Sequence, residues 1–185
     1  MPVGDTLGAR LRRLRRENDC SLSELSRRSG VGKGTISELE NDRRGARLDT
    51  LFALTTALGA PLGALLPDGG SSGARPVQGD SVTATLLDRW PVERFLVEVY
   101  RATLTGRQQE SAAHAPGVLE TVTVVRGRVR VGCAGDEREL DEGESLRYRG
   151  DLPHRFASIG ASADVVLLMH YLRETTRERT IQDDR

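Results

Sequence analysis

The chain has 185 residues, which is enough for one mid-sized domain or two small ones. It is 37% hydrophobic, its formal net charge is zero, and it has no long unbroken apolar run, so the sequence predicts no membrane-spanning helix. The charged amino-terminal segment lacks the apolar centre of a secretory signal, and Cys20 and Cys133 lie far apart without metal-binding spacing. We therefore expect a cytoplasmic protein with free thiols and no membrane partner.

The first 66 residues carry apolar side chains at helical spacing, and no strand pattern interrupts them. Ser21 to Glu24 reads as a capping box that begins a second helix, and Gly30 is placed to end it. Pro61 is expected to open a short fifth helix through Leu65. The predicted buried faces are Leu7, Leu11 and Leu14, then Leu22 and Leu25, then Val31, Ile36 and Leu39, then Leu48, Leu51, Leu54 and Leu58.

Composition changes sharply near residue 67. Residues 67–80 are rich in glycine and serine and read as a flexible linker. Beyond them the apolar period becomes two, with predicted strands over 95–100, 121–125, 129–131 and 165–169. Many short strands between glycine turns are typical of a β-sandwich or barrel, here over residues 81–172. The polar tail, 173–185, is expected to fray.

The helical half resembles a known DNA-binding module. The run SLSELSRRSGVGKGTISELEN, which begins at Ser21 and ends at Asn41, continues in Arg43-Arg44 and in LDTL from Leu48. Over residues 6–66 this resembles the helix-turn-helix domain of the Cro/repressor (XRE) family. The resemblance implies a five-helix, all-α, lambda-repressor-like domain over 1–66, with double-stranded DNA as its partner. Its third helix, about 32–40, would enter the major groove.

The resemblance also implies which side chains contact DNA. Lys33 would donate to guanine and Glu38 would accept from cytosine, whereas Asn41, Arg43 and Arg44 would hold phosphates. Zero net charge does not oppose this reading, because affinity depends on the local charges that meet phosphates. The expected DNA-binding residues are Ser21, Lys33, Gly34, Thr35, Ser37, Glu38, Asn41, Arg43 and Arg44.

The chain departs from the family pattern at three positions. Leu22 stands where many relatives have glutamine, so one expected phosphate contact is missing. Asp42 replaces a common glycine, and Ala46 replaces a common proline. These changes concern backbone contacts rather than the module itself.

The strand-rich half resembles a small cupin (jelly-roll) barrel. Its first motif matches at His114, Glu120 and Gly127, and its second matches at Gly143 and His154. Pro116 stands where the family has a second histidine, and Arg149 and Asp151 replace a proline and a glycine. An all-β cupin barrel after an all-α domain is the fold class that the resemblance implies.

The cupin motifs define a candidate site. His114, Pro116, Val118 and Glu120 share even parity, so an extended strand would point them to one side, toward His154 from another strand pair. His114, Glu120 and His154 would then form a three-ligand site for a divalent metal (Fe, Mn, Ni or Zn). Pro116 cannot ligate, so a four-ligand site is excluded unless His170 or a water takes the fourth position.

Two other readings of the barrel stay open. The same groups, with Tyr100 and Tyr148, would line a metal-free pocket for a small-molecule effector. Alternatively, the barrel is a structural remnant kept for dimerisation.

The sequence as a whole favours a non-enzymatic transcriptional regulator, a homodimer whose cupin barrel senses a small molecule. Dimerisation would place two recognition helices about one turn of DNA apart. The alternative is a mononuclear-metal oxygenase of the hydroxypropylphosphonate epoxidase type, although the spacing between His114 and Glu120 differs from that enzyme's. Because the linker is flexible by composition, coupling would have to run through dimer geometry or domain contacts.

Overall fold

The computed structural model of the chain describes residues 6–67 and 76–173. The predicted linker residues 68–75 and the tail residues 174–185 lie outside them. The helical part consists of α1 (Leu7–Glu17), α2 (Leu22–Ser29), α3 (Lys33–Glu40) and α4 (Leu48–Ala57). None of the helices in these ranges is long and apolar enough to cross a membrane.

The ends of α2 follow the predicted local rules. The Ser21 hydroxyl accepts a hydrogen bond from the backbone N–H of Glu24 at 3.1 Å, and Gly30 ends the helix in the left-handed region at φ 71°. The second half of the predicted capping box is wrong, because the Glu24 carboxylate instead binds Arg27 and Arg28. Those ion pairs hold the pKa of Glu24 at about 2.

The predicted fifth helix is a single 3₁₀ turn, Leu62–Ala64. Two features of the sequence explain why no α-helix forms. Gly63 weakens helix formation, and Pro67 disfavours helical geometry at the residue before it. Leu62, Leu65 and Leu66 are nevertheless buried, so the segment packs as expected although its backbone does not.

Helix α1 carries five arginines, Arg10, Arg12, Arg13, Arg15 and Arg16, and some of them stabilise the fold. Arg15 binds the buried carboxylate of Glu40 on α3 through Nε at 2.6 Å and Nη2 at 2.8 Å. Arg12 reaches the same carboxylate at 3.4 Å, and Arg10 donates to the backbone carbonyl of Leu66. At least three of these arginines therefore join α1 to later parts of the helical domain.

The strand-rich part folds into two sheets that pack face to face. In chain order the strands within the described residues are β1 (Val77–Gln78), β2 (Val82–Val92), β3 (Phe95–Thr105), β4 (Gln109–Ser111), β5 (Leu119–Arg126), β6 (Val129–Cys133), β7 (Asp136–Leu140), β8 (Ser145–Arg149), β9 (His154–Ser158) and β10 (Ser162–Leu172). One sheet has the order β1-β2-β3-β10-β5-β8 and the other β4-β9-β6-β7. Val77–Gln78, within the predicted linker, pairs with β2 instead of remaining irregular.

The helical domain docks on the barrel through buried contacts. The backbone N–H of Gly63 donates to both oxygens of Glu98 on β3, at 3.0 and 3.1 Å, and Glu98 is fully buried. Arg89 donates to the carbonyl of Gly63 at 2.9 Å. A Cβ at Gly63 would lie 2.9 Å from the Glu98 carboxyl carbon, so only glycine allows this approach. We call Gly63, Glu98 and Arg89 the interdomain clamp.

A second group of contacts lies at the start of α4. Gln109 on β4 donates through Nε2 to the Asp49 carboxylate at 2.9 Å. Arg47 pairs with Asp80 between exposed side chains. The two domains therefore meet along α4 and the 3₁₀ turn, and this contact was not predicted from the sequence.

Candidate metal centre and DNA-binding surface

The third helix presents the polar face that a recognition helix requires. Ile36 and Leu39 are buried against the helical core, whereas Lys33, Gly34 and Glu38 are exposed. Thr35 and Ser37 are half-buried beside that face. Of the described residues, none forms an ion pair with Lys33, whose ammonium is therefore available to an external acceptor. The predicted contacts of these residues with bases stay predictions.

The residues expected to hold phosphates differ in how they are used within the chain. Asn41 donates to the Ser37 carbonyl at 2.7 Å and accepts from Arg12 at 2.7 Å, so its amide already stabilises the end of α3. Arg44 lies 3.6 Å from the Glu38 carboxylate in an exposed pair. The Arg43 side chain is exposed and has no ion-pair partner in residues 6–67 or 76–173. Ser21 caps α2, as described above.

Asp42 shows why the departure from glycine is tolerated. Its φ is +54°, in the left-handed region that glycine adopts readily and aspartate tolerates better than most residues. Its carboxylate accepts from the Thr6 hydroxyl at 2.6 Å and from the Gly8 backbone N–H at 3.0 Å. Asp42 thus caps the start of α1 and compensates for the backbone strain.

Facing sheets bring two of the three predicted ligands together. Glu120 lies on β5, between its register partners Tyr148 on β8 and Met169 on β10. His154 begins β9 in the other sheet, where it pairs with Ser111 and Cys133. Both side chains point into the barrel and are at most 2% exposed.

The predicted strand parity around His114 is wrong, although His114 does reach the site. Strand β5 begins at Leu119, and a turn with Gly117 at φ 81° precedes it, so Pro116 is exposed while His114 is buried. The backbone N–H of His114 donates to the Gly150 carbonyl at 2.9 Å. A hydrogen-bonded loop therefore positions this ligand, where the sequence predicted a strand.

That loop is held by Arg149 and Asp151, the residues that replace a proline and a glycine of the second cupin motif. Arg149 pairs with Asp151 at 2.8 Å, and the Asp151 carboxylate accepts from the backbone N–H of Gly117 at 2.9 Å. Both contacts keep the pKa of the Asp151 carboxyl below its usual range. The pair thus fixes the turn between His114 and Glu120.

The three side chains form one compact group. Glu120 Oε1 lies 2.9 Å from His114 Nε2 and 3.5 Å from His154 Nε2, and one ligand atom from each residue lies within 4.8 Å of the others. The Tyr148 hydroxyl donates to Glu120 Oε2 at 2.6 Å. Burial raises the pKa of Glu120, but this hydroxyl and the imidazoles outweigh it, so the carboxyl pKa is lowered.

The orientation of these groups suits a cation. His154 Nδ1 lies 2.9 Å from the Leu152 carbonyl, which only accepts, so Nδ1 donates to it and Nε2 is the ring nitrogen that faces Glu120. Glu120 Oε1 is buried and has no hydrogen-bond partner of good geometry. A cation bound between Glu120 Oε1 and the Nε2 atoms of the two histidines would satisfy this buried oxygen. Two imidazoles and one carboxylate are a donor set for iron(II), manganese, nickel or zinc.

The site opens into a cavity of about 40 Å³. Tyr100 contributes to its wall, while the Tyr100 hydroxyl donates to Glu98 at 2.5 Å. His170 does not contribute a ligand; it lies next to Met169 on β10 and therefore faces the other side of the sheet, near Phe95 at 6.4 Å. No other histidine, cysteine or acidic residue within the described ranges joins the three as a potential metal ligand.

The helical domain supplies part of the cavity wall. Leu48, Asp49 and Phe52 of α4 and Leu62 of the 3₁₀ turn line it together with barrel residues. The ring of Phe52 stacks on the His114 imidazole, with 4.4 Å between centroids and 28° between planes. Sequence reasoning missed these residues, because in the helical pattern of α4 they read only as parts of the DNA-binding domain.

Two family models match the chain, one to each half: a helix-turn-helix model over residues 11–65 and a cupin-domain model over residues 101–171. The chain is 25% identical over 170 residues to the HTH-type transcriptional regulator SutR of Escherichia coli (strain K12), covering 90% of this chain and 96% of SutR. The crystal structure of an HTH_3 family transcriptional regulator from Vibrio cholerae is similar at 25% identity and a TM-score of 0.77, over 90% of this chain and 96% of that one.

Hydroxypropylphosphonic acid epoxidase from S. wedmorenis overlaps more loosely. Its TM-score is 0.39 at 20% identity, over 88% of this chain and 95% of the enzyme. This similarity is too weak to carry an argument about activity. The two regulators, in contrast, match across both domains. The chain therefore consists of a helix-turn-helix domain followed by a cupin domain, and it is similar over both domains to these two transcriptional regulators.

Proposed function

We propose that this chain is a sequence-specific DNA-binding transcriptional regulator whose cupin barrel binds a small-molecule effector. The observation that carries the proposal is the exposed polar face of α3, in a chain that aligns with a named transcriptional regulator over 90% of its length. The barrel adds a buried His-Glu-His group beneath the DNA-binding domain. An effector site and a DNA-reading surface thus occur in one molecule.

Different residues contact the bases and the phosphates of the DNA. Lys33 lies at the amino-terminal end of α3, the end that helix-turn-helix proteins direct at base edges, and its ammonium can donate to guanine O6 and N7. Glu38 can accept from cytosine once its exposed contact with Arg44 loosens, and such surface pairs hold little energy. Arg43 follows α3 and anchors a phosphate.

The test begins with genome-wide capture of DNA by the purified protein, followed by titration of the captured operator. Lys33→Ala should cost about 1–3 kcal/mol and relax specificity at one base position. Arg43→Ala should weaken binding to all sequences and reduce the salt slope by about 1. Arg138→Ala is the matched control, because Arg138 is an exposed arginine on β7 of the barrel. Equal losses in all three variants would contradict the assignment.

We also propose that the chain works as a homodimer. With zero formal net charge and Leu22 in place of a phosphate-binding glutamine, one copy offers few charged contacts to DNA. Two copies on a palindromic site would double the contacts. Sedimentation of the free protein and of its operator complex should give two chains per complex; one chain per site would contradict the proposal.

His114, Glu120 and His154 are proposed to hold a divalent metal, with Tyr148 and the Leu152 carbonyl orienting two of them. A metal bound by three protein ligands supplies open coordination positions for an oxygen- or nitrogen-donor effector. Metal analysis of the purified protein should give about one ion per chain. His114→Ala should abolish it, whereas the matched variant His170→Ala should retain it because His170 lies outside the group.

A metal-dependent oxygenase is the second candidate, since two histidines and one carboxylate also form the iron site of that enzyme class. The two functions separate by mutation of the DNA-binding surface in the full chain. A regulator loses its cellular effect with Lys33→Ala and Arg43→Ala. An enzyme keeps oxygen consumption in both variants and loses it only when His114 or Glu120 is replaced.

A further inference from the structure

The DNA-binding domain forms the roof of the cupin cavity. Phe52 projects from α4 onto the His114 ring, and Asp49, one turn earlier, accepts from Gln109 of the barrel. Leu48 and Leu62 complete the roof. A side chain of the DNA-reading domain is therefore in direct contact with a proposed metal ligand.

Phe52 separates two spaces of very different size. On its inner side is the cavity of about 40 Å³ that contains Glu120 and His154. On its outer side is a cleft of about 630 Å³ between the domains, lined by α4, the end of α2 and residues 110–114. Asp49, Phe52, Ser111 and His114 border both spaces. The ring of Phe52 thus stands at the boundary between cleft and cavity.

The volumes of the two spaces limit the size of the ligand that each can hold. A buried water needs roughly 10–15 Å³ of cavity volume, so the inner cavity holds only a few atoms beside the three ligands. Organic ligands occupy sites of about 300–1,000 Å³, which is the size of the outer cleft. Because the Phe52 ring is stacked on His114 where the cleft and the cavity adjoin, a small organic molecule that enters the cavity from the cleft would displace this ring.

We propose that Phe52 is the gate of the cupin cavity, so that the DNA-binding domain controls access to the His-Glu-His group. The inference rests on the proposed function and states how its site is regulated. Because coupling is reciprocal, a ligand that occupies the gate position also shifts α4 relative to the barrel. The ligand class is a small molecule with an oxygen- or nitrogen-donor head, held in the cleft by its remainder.

The two ends of the domain interface are suited to such a motion. At the 3₁₀ turn the interdomain clamp is buried, with Glu98 bound to Gly63. At the start of α4 the contacts are weaker: Arg47–Asp80 is exposed and Asp49–Gln109 is only partly buried. The α4 end can therefore open while the clamp end stays in place.

The gate is tested by carbethoxylation of histidines with diethyl pyrocarbonate, followed by mass spectrometry of the full chain. The protein is first treated with a chelator, so that His114 carries no metal and reacts as a free imidazole, and no DNA is added; the measurement therefore does not depend on the proposed function. His114 should react slowly in the wild type, and Phe52→Ala should raise its rate at least about tenfold by removing the stacked ring. His170, on the other side of β10, is the internal reference whose rate should not change.

Phe156→Ala is the matched control, because Phe156 lines the same cavity from β9 and does not border the outer cleft. Its His114 rate should stay close to that of the wild type. If Phe52→Ala does not raise the rate, or if Phe156→Ala raises it equally, Phe52 is not the gate. If circular dichroism shows that Phe52→Ala is unfolded, Phe52→Leu replaces it, because leucine keeps apolar bulk at this position. The same criteria then apply, with a smaller increase in the His114 reaction rate expected.

Hydrogen exchange of α4 gives the reciprocal measurement. His114→Ala removes the barrel's half of the stack, so amides of 48–57 should exchange faster than in His170→Ala. Equal exchange in the two variants would overturn the coupling. If the protein binds DNA and metal as proposed, but neither the His114 reaction rate nor the hydrogen exchange of 48–57 changes as expected, only the gate is wrong. If both change as expected, but the protein binds no operator and no metal, only the proposed function is wrong.

Discussion

Replacing Gly63 by alanine tests whether the interdomain clamp joins the two domains into one cooperative unit. The Gly63 N–H donates to both oxygens of Glu98, and the new Cβ would meet Glu98 Oε1 and lie 2.9 Å from its carboxyl carbon. Leu86 on β2 lies 3.3 Å away, so the methyl group has no free direction. The carboxylate must retreat, and the hydrogen bonds break.

The expected loss follows from the burial of Glu98. A hydrogen bond to a charged group contributes about 1.5–3 kcal/mol, and a buried carboxylate left without its partner costs more than the bond itself. The remaining donor from Tyr100, at 2.5 Å, limits that cost. We expect Gly63→Ala to lower the free energy of unfolding by about 2–4 kcal/mol.

Urea unfolding with two probes measures this loss. Trp90, the only tryptophan, reports on strand β2, and far-ultraviolet circular dichroism reports on the helices. The two transitions should coincide in the wild type and separate in Gly63→Ala. Gly34→Ala is the control, because a Cβ there meets nothing within 4 Å and a helical alanine should stabilise by up to about 1 kcal/mol. A loss below about 0.5 kcal/mol in Gly63→Ala would refute the role of the clamp.

Further predictions concern the buried groups. Burial raises the pKa of Glu98, although Tyr100, the Gly63 N–H, Arg89 and Tyr171 oppose the shift. A carboxyl group with a raised pKa stabilises the fold at acid pH, and this stabilisation is lost as the pH rises. In urea titrations Glu98→Gln should therefore become more stable relative to the wild type as the pH increases above 4.5, and a stability difference that does not change with pH would contradict this. Leu51→Ala should cost about 2–5 kcal/mol in thermal or urea unfolding, because Leu51 is fully buried. Tyr148→Phe should weaken metal binding about 10–100-fold in competition with a chelator, and unchanged affinity would contradict the role of its hydroxyl.

The helical half could be predicted well because its signals are local. Ser21 and Gly30 mark the ends of α2 by short-range rules, and the polar face of α3 follows from helical spacing alone. The fifth helix was wrong because Gly63 and Pro67 outweigh the apolar spacing. Motif spacing also identified His114, Glu120 and His154 as a group, although the turn at Gly117 defeated the parity argument.

The contact between the domains could not be predicted, for a physical reason. Phe52 falls within a helix whose apolar residues all suit the core of the helical domain, and periodicity does not show which of them faces a second domain. Glu98 is an acidic residue in a strand, where sequence suggests solvent; its burial depends in part on the N–H of Gly63, which is more than thirty residues away. Such pairs depend on docking geometry, which no local pattern contains.

The balance of contacts at the gate shows how sensitive the device can be. Withdrawing Phe52 exposes part of a side chain whose full burial is worth about 1.5–3 kcal/mol, and breaking Asp49–Gln109 costs about 1 kcal/mol more. An opening cost of a few kcal/mol corresponds to an open population of about 0.1–10%. A ligand that reverses an open population of about 1% must bind the open form about 10⁴-fold more tightly than the closed form, which is about 5.5 kcal/mol. In the proposed mechanism the clamp would keep this opening local, so that an effector would move α4 without separating the domains.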